Sequence, residues 1–415
     1  TIAIDDPSAA PKSRESLERA YELASQLGDK ASMARSLIAR RHLADFWPEY
    51  LETLQGQFQE ARRLSDEVGD KDLILSSRIA ALRLIASEIT EAGIAEAESI
   101  RDALRERHSL VDLNAQLFNL MWGYYNIGRF EDAVAACDEG FEVAGRIGVP
   151  PVQYAGIKGM ALTELGRFDE AWATLQEEIA DEEHLLGRAH RDAGIALYLV
   201  AVMAFEEAEA AAREVVELGE RLVRPWVIRL GRLALARSLV AQGRLDAETA
   251  EAARRSLEEE NALQADQIDV NFVAEALLAA GRSAEGLSVV EAALPEADAG
   301  PTNVLGRPLQ RLAVLEVKAR ALTALGRPAD ALETIEPAYA GAAESNCRRL
   351  LWRILATRGA AQLAAGDREG SAESYREAAA MLRSMAETIP DPGHRQGFLS
   401  NPAVAEVLSA AEAGA

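Results

Sequence analysis

Apolar positions along this chain recur at helical spacing in long stretches, and each stretch is stopped by a glycine before the pattern starts again. Strand-type alternation is nowhere sustained. Six of the stops, Gly128, Gly166, Gly243, Gly281, Gly326 and Gly366, are separated by 38, 77, 38, 45 and 40 residues. The 77-residue gap is two steps with one degenerate turn, where Met203 or Ala204 replaces the glycine. A second register marks the other ends of the helices: Leu27-Gly28-Asp29, Val68-Gly69-Asp70, Ile147-Gly148 and Leu186-Gly187 are separated by 41, 79 and 39 residues. A period near 40 is the length of one helical hairpin, so the pattern predicts an all-α array. Helices are expected near 14–27, 31–46, 49–68, 72–88, 91–107, 111–127 and 130–146, and so on to nine or ten hairpins.

Punctuation between these stretches follows helix chemistry. Pro48 separates one pair, while Pro150-Pro151, Pro225 and Pro308 stand where a missing N–H costs nothing. Residues 295–308 form the one long Gly/Pro-rich connection and account for the 45-residue step, which predicts a kink or loop there. After residue 389 the period changes, and Ile389-Pro390-Asp391-Pro392-Gly393 precedes two short helices that read as a cap. The expected division is a tail over 1–13, a repeat array over 14–388 and capping helices over 389–415.

The best-formed unit runs from Leu117 to Val134, with Gly128, then Phe130, then Ala133; its neighbour repeats the scheme with Gly159, Gly166, Phe168 and Ala171. The glycine reverses the chain in the left-handed region, the aromatic two residues later plugs the hairpin, and the small residues let two helices approach. Gly159, Ala319 and Gly359 share one small position, seven residues before the turn glycine. This pattern resembles the tetratricopeptide repeat over roughly residues 14 to 388, most clearly at 114–178 and 312–378, with departures at Met203 and at Arg368. The period near 40 resembles the longer-helix arrays of large bacterial regulators similar to the maltose-operon activator, and the stretch after Ile389 resembles their closing segment. The resemblance implies a right-handed α-solenoid superhelix of antiparallel hairpins, belonging to bacterial signal transduction or transcription regulation. A chain that opens on Thr1 rather than Met then reads as the sensor or scaffold portion of a larger protein, with an N-terminal regulatory domain fused before it.

Composition sharpens this in two ways. Apolar residues make up 49% of the chain but aromatics only 5%, so the core is built from Ala, Leu and Val and suits closely spaced helices. The net charge of −23 opposes direct binding to nucleic acid or to anionic lipid. With neither a signal peptide nor an apolar run long enough to cross a bilayer, the expectation is a cytoplasmic protein with no membrane contact.

Catalytic signatures are missing: there is no P-loop, no H-E-x-x-H, no G-x-S-x-G and no metal-spaced cysteine pair, so neither an enzyme nor a metal or cofactor site is expected. His184 and His190 are six apart across a helix boundary and lack further ligands; His42, His108 and His394 stand alone. The carboxylate runs at 177–178, 181–183 and 258–260 read as solvated faces. Cys137 and Cys347 lie about five repeats apart, and in a solenoid whose distant repeats do not touch they would stay unpaired.

The resemblance implies that the first helix of each pair lines a concave groove. Counting along it nominates Phe118, Asn119, Trp122, Tyr125 and Asn126 as an aromatic and amide cluster. The same count gives Gln153, Met160, His190 and Arg237, then Glu316, Arg320 and Arg353. Trp122 and Tyr124 could equally pack between repeats, and the arginines could equally neutralise acidic helices. The chain therefore reads as a non-enzymatic interaction or effector-sensing scaffold gripping a peptide or protein segment. The alternatives are a sensor of a sugar or metabolite and a homodimer paired through groove or cap.

Overall fold

A computed structural model describes residues 10–40, 51–85, 91–176, 185–222, 225–244, 268–298 and 308–413. The described chain is an α-solenoid of antiparallel helical hairpins, divided into a first unit, Thr1–Gly123, and a second, Tyr124–Ala415. The first holds α1 (Ala10–Leu27), α2 (Lys30–Ala39), α3 (Leu51–Val68), α4 (Lys71–Ile85), α5 (Glu91–Glu106) and most of α6 (Leu110–Ile127). Its consecutive helices pack around Ala34, Leu37, Leu54, Phe58, Ala61, Leu64 and Ala80. Asp29 caps α2 by accepting the Ser32 N–H at 3.1 Å, and Gln116 ties α6 to the Ala97 carbonyl on α5 at 3.1 Å.

The second unit continues with α7 (Phe130–Ile147), α8 (Val152–Glu164), α9 (Phe168–Gln176), α10 (Leu185–Ala201), α11 (Phe205–Leu222) and α12 (Pro225–Ala241). After residues 245–267 come α13 (Ile268–Ala279), α14 (Ser283–Asp298), α15 (Pro308–Ala324), α16 (Pro328–Glu344), α17 (Arg348–Ala364) and α18 (Arg368–Glu387). Two short helices, α19 (Pro392–Ser400) and α20 (Pro402–Ala413), pack on α18. The first helices of successive hairpins, α8, α10, α12, α13, α15 and α17, stack side by side, and α17 returns to touch α8. The row thus closes on itself.

Closure corrects the expectation that distant repeats do not touch. The Thr388 hydroxyl donates to the Gly166 carbonyl at 3.1 Å and accepts the Phe168 N–H at 3.2 Å, joining the turn before α9 to the end of α18. Phe168 meets both Tyr198 on α10 and Phe398 on α19 edge-on, at centroid separations of 6.0 and 6.3 Å. His394 Nε2 lies 2.8 Å from Glu207 of α11. Cys137 and Cys347 nevertheless both remain free, buried thiols.

The turn register holds where glycine is present and also where it is not. All six glycines of the first register, with Gly28, Gly69 and Gly148 of the second, have positive φ. Met203 keeps the same conformation at φ 62, and its turn is closed by Met203 N–H to Val200 O and Ala204 N–H to Leu199 O, as at Gly128. His108, at φ 53, likewise fills the gap between Gly69 and Gly148. Gly187, in contrast, is not a turn: it lies inside α10. Pro295 also lies inside a helix, α14, whereas residues 299–307 of the expected connection fall outside the described residues, as do Pro48, His42, His184 and the three carboxylate runs.

An L-residue in the left-handed region carries about 1 kcal/mol of strain. Met203→Gly should therefore raise the midpoint of thermal unfolding. Gly281→Ala should lower it by a similar amount, because a Cβ there meets nothing within 4 Å and only φ, at 74, opposes it. Equal and unchanged midpoints would show that the turns are not strained.

Candidate functional site

The closed row of first helices presents a set of ionised side chains that are far apart in the chain. On α17, Arg353 bonds Glu275 of α13 at 2.5 Å and Glu316 of α15 at 3.2 Å, and Thr357 donates to Glu316 at 2.9 Å. Arg320, on α15, stands 3.8 Å from Glu316 and 3.9 Å from Glu275. Where α17 returns to α8, Arg349 bonds Glu164 at 2.7 Å, and the Cys347 thiol donates to the same carboxylate at 3.3 Å. Four arginines, counting Arg237 on α12, face three glutamates.

Their electrostatics divide sharply. Burial would weaken the charge of Arg353, but the Glu316 and Glu275 carboxylates outweigh it and hold its pKa above the ordinary value. Arg349 is raised in the same way, burial being outweighed by Glu164. Burial would push Glu275 up, yet the Arg353 and Arg320 charges pull it below the usual carboxylate range. Arg237 goes the other way: burial and the Arg349 charge push it down to about 10, and Glu164 and Glu275 only partly offset them. Tyr125 and Cys347 are both raised, by burial first and then by the Glu164 charge.

Of the residues nominated from sequence, the second unit brings together Tyr125, Arg237, Glu316, Arg320 and Arg353. Met160 and His190 are each 2% exposed, so they are packed into the protein instead of presented. Asn126 is buried, and Gln153 lies on α8 with its side chain outside the described residues. Phe118, Asn119 and Trp122 are half-buried residues of the first unit.

Counting missed Glu164, Glu275 and Arg349. A signal existed for one of them: Arg237, Glu275 and Arg320 all stand six residues before a turn glycine, where a charge interrupts an apolar helix. Glu164 and Arg349 show no such register, because their position depends on the closure of α17 onto α8.

No group of metal-ligating side chains occurs among the described residues, and none of their helices is long and apolar enough to cross a membrane. No family model matches the chain, and no curated protein does either. Among solved structures it is similar to a Rap protein complexed with competence and sporulation factor, at 12% identity over 94% of this chain and 100% of that one, with a TM-score of 0.39. It is also similar to a circular tandem repeat protein with novel repeat topology and enhanced subunit contact surfaces, at 17% identity over 97% and 89% of the two chains, with a TM-score of 0.20.

Proposed function

We propose that this chain is a non-enzymatic binding protein that takes a peptide or protein segment on the inner row of its second unit, as an interaction or effector-sensing module of bacterial signalling or transcription regulation. One observation carries the proposal: Arg237 of α12 and Arg349 of α17 stand beside Tyr125, and Arg237 links them to the Glu275, Arg320 and Arg353 cluster of α13, α15 and α17, all of these side chains partly exposed. Ionic groups fixed by mutual pairing lose little entropy when a partner arrives, and Tyr125 adds an apolar face with a polar tip. The chemistry favours binding over catalysis, since Glu275 is locked in its ionised form by two arginines and has no proton to exchange near neutral pH. A small anionic metabolite is the second reading, because one arginine, Arg237, senses the charges of Arg349 and Glu164 together with those of Arg353 and Glu275.

An immobilised array of mixed-sequence peptides tests the proposal. A restricted subset should bind, its members should compete with one another, and Arg320→Glu should weaken them all by about tenfold. Arg320 is chosen because its side chain is 39% exposed and its ion pairs are long, and the unfolding midpoint of Arg320→Glu is measured beside its binding because the exchange sets a third carboxylate near Glu316 and Glu275. Retention of no peptide, or binding indifferent to Arg320→Glu, would overturn the proposal, and a calorimetric response to metabolites alone would establish the second reading.

A further inference from the structure

Arg237 is the odd member of the inner charge set. Arg349 and Arg353 each bond a carboxylate directly, and Arg320 has two within 4 Å. Arg237 makes no ion pair or hydrogen bond among the described residues, although Glu164, Glu275, Arg349 and Arg353 all lie within its electrostatic reach. Among the described residues the set has four cations against three anions, so one positive charge there is uncompensated, in a chain whose net charge is −23. The neighbourhood also lacks a donor. Asn271 stands one turn before Glu275 on α13, and its buried Oδ1 has no hydrogen-bond partner among the described residues.

We infer that Arg237 is the receiving group for an anionic moiety of the ligand, a carboxylate set between the Arg349–Glu164 pair and the Arg353–Glu275–Glu316 cluster, with Asn271 accepting an N–H beside it. The inference rests on the peptide-binding proposal above and names the chemistry the peptide must carry. The guanidinium offers a planar fork of donors that suits a carboxylate, and a partly desolvated site strengthens such a bond. An unpaired, partly desolvated cation weakens the fold that carries it. The buried side chains of α12 among the described residues, Val227, Leu233, Ala234 and Ser238, are all uncharged. A residue that costs stability in the empty protein and completes a charge set on binding is a ligand-recognition residue.

The test uses two probes. Peptides retained by the array are remade as pairs, one member with its acidic side chains and terminal carboxylate intact and the other with each of these groups amidated in turn. Glutarate, a dicarboxylate without peptide bonds, is titrated separately. The acidic member should bind the full chain about tenfold more tightly, and Arg237→Gln should reduce that preference to nothing while raising the unfolding midpoint of the unliganded protein. Which amidation removes the preference tells a side-chain carboxylate from a chain terminus. Equal binding of both members, or a preference that survives in Arg237→Gln, would overturn the inference and leave peptide binding standing. If no peptide binds but glutarate stabilises the wild type and not Arg237→Gln, the anionic site stands and the peptide reading fails; a lack of response to either probe sinks both.

Discussion

Gly156→Ala is expected to lower the stability of the protein by about 3 kcal/mol, the upper part of the range for overpacking a tight helix contact. A Cβ at this position would lie 2.4 Å from the carbonyl oxygen of His190, 2.5 Å from its carbonyl carbon and 2.9 Å from the nitrogen of Arg191. These are backbone atoms of α10 and cannot rotate away. The approach is mutual, since a Cβ on Gly194 of α10 would stand 3.0 Å from the Gly156 oxygen and 2.7 Å from Leu175 Cδ2. To relieve the clash, α8 must move off α10 and carry Glu164 with it, so the loss should appear in ligand binding as well as in denaturant midpoint. Gly145→Ala is the matched control: it sits in α7 with nothing within 4 Å and should gain up to about 1 kcal/mol from helix propensity. A cost below about 0.5 kcal/mol for Gly156→Ala would mean that the α8–α10 contact is loose.

That contact shows what was legible in the sequence and what was not. The period near 40 and the turn glycines reveal the hairpins because each turn needs a residue at positive φ, a local requirement that glycine meets without strain. The small residues seven positions before the turn are legible for the same reason: Gly159 faces Leu175, and a Cβ on Gly359 would stand 3.0 Å from Tyr375, both within one hairpin. Gly156 belongs to neither register, because it serves a contact between different hairpins. Met203 read as a degenerate turn only because residue type was taken for conformation, whereas the surrounding helices impose φ 62 on it, and they impose φ 53 on His108, where the residue pattern signals no turn.

The inner charge set follows the same division. Arg237, Glu316, Arg320 and Arg353 could be placed by counting along the first helices, since the row α8, α10, α12, α13, α15 and α17 stacks in sequence order. The pairing of Arg349 with Glu164 spans 185 residues and exists only because the row closes. No periodicity in one chain announces such a closure: it depends on the rotation from each hairpin to the next, accumulated around the row until α17 meets α8. The aromatic residues follow a different rule, for Tyr125 meets Phe130 edge-on at 5.6 Å and so serves its own hairpin as well as the charge set.

Closure itself should yield to a single substitution at the Glu164–Arg349 pair. Glu164 is 8% exposed and accepts from both Arg349 and the Cys347 thiol, so Glu164→Leu strands a guanidinium on α17 whose side chain is only 21% exposed. The expected cost is about 3 kcal/mol, the lower end for breaking a buried pair from one side. Arg349→Leu should cost a comparable amount by stranding the carboxylate. The double variant Glu164→Leu with Arg349→Leu should be less destabilised than either single one, since two leucines in place of a matched ion pair leave no uncompensated charge. Amide exchange at Phe168 reads the same event locally. This N–H belongs to the first turn of α9, where no helical carbonyl is available, and it donates to the Thr388 hydroxyl across the seam. In Glu164→Leu it should exchange faster while amides in the middle of α11 keep their protection, as a seam that opens ahead of global unfolding requires. Uniform loss of protection would instead show that the closed row unfolds as one cooperative body. Strictly additive costs in the double variant would show that Arg349 and Glu164 stabilise the fold independently of each other.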